Sequence, residues 1–362
     1  MKYYFKKENN MYGFSIFMNA DLDDRVSSYI KTMASHGFGG IFTSMHIPED
    51  DTSLYQARLS VLGKLAKKYH LSLMVDISGD ALERSGFSFD RLDELQSVGV
   101  TGLRMDYHIS NEMIAKVSQT MTVSLNASTI TQADIDELKE HHAEFKNLEA
   151  WHNYYPRPET GLSREIFLTK NHFLKKNGFT VMAFVPGDDQ LRQPLYETLP
   201  TLEDHRYMHP LAALLDMKQI GVDHIYIGDG GLKKSTSLQC KRFINDNAII
   251  LRAVAQTRDF QYVEGEHENR QDSARDVIRS AYARFKTIPA IAPENTVVRS
   301  VGAITIDNCD YGRYMGEIQL VKHDLAADKK VNKVGYVIDD DIDLIAYIGA
   351  GQKFIIEKET KK

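Results

Sequence analysis

Four stretches decide the fold: ASHGFGGIFTSMH (34–46), QSVGVTGLRMDYH (96–108), KKNGFTVMAFVPGD (175–188) and KQIGVDHIYIGDGG (218–231). Each reads as the end of a helix, a glycine, then a short apolar run closing on polar or acidic residues. Gly37, Gly99, Gly178 and Gly221 fall where a helix needs a left-handed C-terminal residue, which glycine adopts without Cβ strain. The apolar runs suit strands buried on both faces, as in a parallel sheet flanked by helices.

The remaining strands fit between these. GFSIFM (13–18) reads as the first, LSLMVDIS (71–78) as the third, TVSLNAS (122–128) as the fifth and LEAWHNYY (148–155) as the sixth. Amphipathic helices are expected at 23–35, 53–69, 89–96 and 132–142, the last opened by Thr131 with Asp134 three residues on. Eight strands alternating with helices over roughly 230 residues predict a (β/α)8 barrel. The rival, a doubly wound open sheet, lacks a GxGxxG after the first strand.

After Gly231 the rhythm changes. Residues 235–258 read as helical. Beyond them QYVEG, VVRSVGAITI, MGEIQLVKH, KVGYVI and KFIIEK read as short strands of a small β-rich barrel or sandwich. The expected domains are a catalytic barrel over 1–244 and a β-rich domain over 245–362. The charge run DDDID (339–343) reads as a solvated turn, and the first ten residues as a loose extension.

Composition narrows the function. The chain has 362 residues, 43% hydrophobic and 26% charged, with a formal charge of -6. That balance gives no reason to expect nucleic acid, which calls for clustered Lys and Arg. The N-terminus lacks the secretory apolar run of about 7–15 residues, and no stretch is long enough to span a membrane. Cys240 and Cys309 are too few for a disulfide framework. A cytoplasmic protein is expected, with homo-oligomerisation left open.

In a closed barrel the C-terminal strand ends share one mouth. The residues expected there include Asn19 and Asp21, then Ser44, His46 and Glu49, and then Asp76, Asp106, His108 and Asn126. Asp50, Tyr107, His152, Asn153, Tyr154, Tyr155, Arg157, Asp188 and Asp229 complete the set. Glycosidic hydrolysis needs one carboxyl to protonate the leaving oxygen and another as nucleophile or base. Asp106, at the end of LRMD, is the first catalytic candidate, with Glu49 and Asp76 as partners. The alternative is that these acids cap helices or pair with Arg104 or Arg157. Substrate contacts are expected from His46, Asn126, Asn153, Tyr155, Arg157, Thr160, His205, Arg206, Asp229 and Gly230. They lie on strand ends and on the loops WHNYYPRPETGLS, ETLPTLEDHR and IGDGG, where arginines and backbone amides suit phosphate or carboxylate. No HExxH or EF-hand spacing appears, so neither metal nor cofactor is expected.

These motifs resemble those of the bacterial 6-phospho-N-acetylmuramidase family. The resemblance is carried by IFTSMHIPED, LMVDIS, LRMDY, SLNAST, HNYYPRPETGLS, VMAFVPGD, TLEDHR and IGDGG. It continues through VRSVGAITIDNCDYGRYMGEIQLV and IAYIGAGQKFII, covering about Tyr12 to Ile356. It implies an intracellular glycosidase with a cyclophilin-like C-terminal domain. The implied substrate is the β-1,4-linked disaccharide of N-acetylmuramic acid 6-phosphate and N-acetylglucosamine from cell-wall turnover. Two other readings stay open. One is a sugar-phosphate aldolase, epimerase or lyase, although no strand-end Lys supports a Schiff base. The other is a non-catalytic sugar-phosphate-binding module. Prolyl isomerase activity does not follow from a cyclophilin likeness alone.

Overall fold

The computed structural model describes residues 11–45, 54–77, 82, 86–105 and 108–359. The chain forms two compact units, divided between Ser237 and Leu238.

The first unit is a closed barrel of eight parallel strands in sequence order. They are β1 (Met11–Ser15), β2 (Gly40–Ser44), β3 (Ser72–Ile77), β4 (Gly102–Met105), β5 (Thr122–Asn126), β6 (Leu148–Trp151), β7 (Thr180–Val185) and β8 (His224–Ile227). Among the described residues the alternating helices are α1 (Asp24–Ser35), α2 (Tyr55–Lys68), α3 (Leu92–Val98), α4 (Asn111–Ser118), α5 (Gln132–Glu140), α6 (Arg164–Lys176), α7 (Pro210–Gln219) and α8 (Lys234–Asp246). None is long and apolar enough to cross a membrane.

Local chemistry explains the boundaries. Gly37, Gly99, Gly178 and Gly221 have φ of 94°, 109°, 87° and 81°, the left-handed turn expected between helix and strand. Asp23, Ser110 and Ser163 cap α1, α4 and α6, and Thr131 with Asp134 forms a full capping box on α5. Inside the barrel Phe42, Met74, Trp151, Met182, Phe184 and Tyr226 pack as one apolar layer. The Tyr226 ring fits because β1 and β2 offer glycines opposite it. A Cβ on Gly13 or Gly40 would come within 2.2 or 2.0 Å of that ring or its hydroxyl.

The second unit is a seven-stranded sheet built from β9 (Ala248–Ala255), β10 (Gly265–Glu268), β11 (Val277–Arg279), β12 (Ala303–Asp307), β13 (Ile318–Val321), β14 (Val331–Val337) and β15 (Lys353–Lys358). Their order is β10-β15-β9-β14-β12-β13-β11. A bridge between Asn269 and Ser280, just beyond the two edge strands, nearly closes it into a barrel.

Three readings of this region are corrected. Helix does not run to 258: α8 stops before Asn247, whose φ of 52° turns the chain, and AIILRAVA becomes β9, parallel to β15. QYVEG is not a strand, since a 3-10 turn covers Arg258–Tyr262 and pairing begins at Gly265. DDDID is not a solvated turn. Asp341 is 0% exposed and accepts bonds from the Arg252 guanidinium at 2.5 and 3.0 Å, the Arg252 amide at 2.8 Å and Gln239 at 3.0 Å. Asp341→Asn is expected to lower stability by about 2 kcal/mol, because it leaves a part-buried guanidinium without its counter-charge. Urea unfolding followed by circular dichroism measures this, and an unchanged midpoint would rule it out.

Candidate active site

Strand alternation builds the site. Ser44, Asp76 and Asn153 each lie two residues beyond a member of the apolar layer (Phe42, Met74 and Trp151), so polar groups succeed apolar ones toward the C-terminal strand ends. Arg104, on β4, ties them together. Its Nη1 donates to Asp76 Oδ1 at 2.7 Å and its Nη2 to Asn153 Oδ1 at 2.6 Å. Asp76 Oδ2 accepts from the Ser44 hydroxyl at 3.0 Å. The Asn153 carbonyl accepts from the Thr201 hydroxyl at 2.9 Å, which joins this layer to the loop after β7. Both charged side chains are largely buried, so each depends on the other for solvation lost on folding. The expected alternative role of Asp76, pairing with Arg104, is thus what the geometry gives.

Beside this layer Tyr154 packs edge-on against Phe42 and Phe184. Burial pushes its phenol up to about 12. Its hydroxyl accepts from Arg192 Nη1 at 2.8 Å. Arg192 opens onto a cavity of about 490 Å³ between the loops after β1 and β7, with Phe17, Asp21, Arg25 and Gly230 also in its lining.

The loops after β6 and β7 are zippered. The Leu162 amide donates to the Thr201 carbonyl at 2.9 Å and the Glu203 amide to the Leu162 carbonyl at 3.1 Å. The Glu203 carboxylate accepts from the amides of Glu159 at 2.8 Å and Gly161 at 2.7 Å. It also binds the Arg206 guanidinium at 2.6 and 2.7 Å, which chiefly holds its carboxyl down at about 2.

Several expected ligand contacts have other work. Arg206 is 1% exposed and donates to Glu203 and to the carbonyls of Thr198 and Arg157, so it fastens loops rather than facing the opening. His205 is buried, with Nε2 2.8 Å from Asp216 under α7. Asp229 is 0% exposed and accepts from the amides of Gly187 at 2.7 Å and Leu199 at 3.0 Å, linking the ends of β7 and β8. The Thr160 hydroxyl is turned back to the Arg157 carbonyl at 2.6 Å. Asn126 is buried at the end of β5 and accepts from the Ser128 amide at 3.0 Å. Tyr155 is half-buried, its amide donating to the Pro200 carbonyl at 3.0 Å, while the Arg157 side chain is exposed and Gly230 lines the cavity. His46, Glu49 and Asp106 lie outside the described residues. Among the described residues no group of three or more His, Cys, Asp or Glu is arranged to hold a metal.

Burial pushes the Asp229 carboxyl up to about 6 although backbone amides, those of Gly187 and Leu199 foremost, hold it down. A carboxyl raised in the fold stays protonated where the unfolded chain has already ionised. Its contribution to stability is therefore fully present below its ordinary value of 3.8 and is lost as pH rises toward about 6. The slope is up to ~1.4 kcal/mol per pH unit. Asp229→Asn is expected to flatten that part of the stability–pH curve, and a slope equal to wild type would exclude Asp229 as its source.

Arg104 was legible only as a partner for an acid, although its period-2 spacing from Gly102 puts it inside the barrel. Arg192 was missed, because it sits in a loop with no strand-end signal.

An eight-stranded parallel barrel with a polar layer at its C-terminal strand ends, followed by a β-rich unit, defines a TIM-barrel protein with an appended domain. Residues 12–242 match the family model described as "6-phospho-N-acetylmuramidase, N-terminal", and residues 249–357 match its C-terminal counterpart. The chain belongs to the 6-phospho-N-acetylmuramidase family. It is similar to a crystal structure of a conserved protein of unknown function from Enterococcus faecalis, with 47% identity, 96% of each chain covered and a TM-score of 0.91. An uncharacterized B. cereus protein shares the fold at 23% identity and a TM-score of 0.73, covering 96% of this chain and 99% of its own. No curated protein matches the chain.

Proposed function

We propose that this chain hydrolyses the β-1,4 bond between N-acetylmuramic acid 6-phosphate and N-acetylglucosamine, in the cytoplasm, during recycling of cell-wall peptidoglycan. The observation that carries this reading is a family match over both units together with the hydrogen-bonded Asp76–Arg104–Asn153 layer at the strand ends. The reaction needs a carboxyl that protonates the glycosidic oxygen and a second that attacks the anomeric carbon or activates water. Both Asp76 oxygens already accept hydrogen bonds from Arg104 and Ser44. That suits Asp76 to positioning and to balancing charge rather than to donating a proton. Asp106, directly after β4 in sequence, and Glu49 are the proposed acid and partner. Asn153 and Asn126 are the proposed amides for sugar hydroxyls.

The test is incubation of the purified protein with the phosphorylated disaccharide and with its unphosphorylated counterpart. Release of N-acetylglucosamine from the first and little from the second is expected. Equal cleavage of both, or of neither, would contradict the proposal. Proton NMR of the newly released anomer gives the stereochemical course. A carboxyl separation of about 5–5.5 Å accompanies retention and about 6.5–9.5 Å inversion.

A further inference from the structure

The arginines at the barrel mouth differ in what they already hold. Arg104 is paired with Asp76, Arg206 with Glu203, and Arg58 with Asp21 and the Met18 carbonyl. Arg192 has no carboxylate within ion-pair distance among the described residues. Its guanidinium is instead flanked by aromatic rings, 5.2 Å from the centroid of Phe17 and 5.9 Å from that of Tyr154. One Nη1–H goes to the Tyr154 hydroxyl. The backbone is held too, since the Arg192 carbonyl accepts from the Tyr196 amide at 3.0 Å.

A guanidinium has five N–H donors in one plane. The ring contacts and the bond to Tyr154 restrain the guanidinium while leaving further N–H donors, so little rotamer freedom remains to be lost when an anion docks. Phosphate oxygens match such donors in pairs, which a lysine cannot reproduce. Arg192 lines the 490 Å³ cavity between the loops after β1 and β7. The acids in that lining do not oppose an anion unaided: Asp21 is bound by Arg58 and Asp23 by Arg25. Gly230 brings the loop after β8 against the same wall, where a Cβ would lie 2.9 Å from the Gln190 carbonyl.

We propose that Arg192, held against Phe17 and Tyr154, is the residue that reads the phosphoryl group of the phosphorylated sugar. It does so by docking two phosphate oxygens on its remaining N–H donors. This rests on the phosphosugar reading above and assigns a specificity residue within it.

Calorimetric titration of wild type, R192Q and R192K tests the assignment. The probes are N-acetylmuramic acid 6-phosphate, N-acetylmuramic acid and N-acetylglucosamine 6-phosphate. R192Q is expected to weaken both phosphorylated probes on the order of 100-fold, with R192K losing about 10-fold. The unphosphorylated probe should bind all three proteins alike. Wild-type preference for phosphorylated probes that survives intact in R192Q would overturn the role of Arg192 and leave the function standing. No preference in the wild type would overturn the function itself. A loss confined to the two muramic acids would assign Arg192 to the lactyl carboxylate and overturn the phosphoryl reading. Should R192Q lose its cooperative melt, R192K carries the test, and phosphate discrimination equal to wild type in R192K overturns the proposal.

Discussion

Arg104→Met is expected to destabilise the barrel by about 3–5 kcal/mol and to abolish turnover, because it leaves a largely buried carboxylate without its counter-charge. Arg104 bonds both Asp76 and Asn153, at 2.7 and 2.6 Å. Its loss would release residues of β3 and of the segment after β6 together. The double variant Arg104→Met with Asp76→Leu separates the two effects. Replacing both members of a buried pair by apolar groups is often close to neutral, so stability should largely return while activity does not. Denaturant titration beside the disaccharide assay measures both. A single variant within about 1 kcal/mol of wild type would mean that the pair contributes as little as a surface one.

Asp106→Asn and Glu49→Gln are each expected to lower kcat by about 10²–10⁴-fold, the usual contribution of a positioned acid or base. Their melting transitions should remain close to wild type, because both substitutions keep the side chain's shape while replacing an ionisable carboxyl by a neutral amide. Asp76→Asn should behave differently and lose stability along with activity, since it weakens the bond to Arg104. Steady-state kinetics with parallel melts separates the cases. Undiminished turnover in both of the first two variants would remove Asp106 and Glu49 from the mechanism.

The barrel was legible because its punctuation is chemical. Four glycines after helices, each with positive φ in the structure, and a Thr131–Asp134 box fix where elements turn, and the apolar runs between them admit little but buried strands. The second unit was less legible. The change from α8 to β9 has no glycine or proline to mark it; Asn247 makes the turn instead, and AIILRAVA gains its strand identity from pairing with β15, about a hundred residues away. In DDDID nothing local distinguishes Asp341 from its neighbours, and the guanidinium that buries it comes from Arg252 on β9.

The site divides in the same way. Asp76 and Asn153 could be found by counting along strands, and the structure joins them through Arg104. Arg206, His205 and Asp229 looked like ligand groups because they are polar residues in mouth loops. The sequence could not reveal that Glu203, Asp216 and backbone amides already hold them. Arg192 depends on Phe17, from the opposite end of the barrel sequence, so local pattern could not single it out.

A crystal structure of the protein with N-acetylmuramic acid 6-phosphate bound tests most directly whether chemistry belongs to the barrel mouth. The sugar should lie over the C-terminal ends of β3, β4 and β6, within hydrogen-bond distance of the layer that Arg104 organises. Density instead in the cleft of the second unit beside His267, Tyr282 and Lys353, with the barrel mouth empty, would contradict the account.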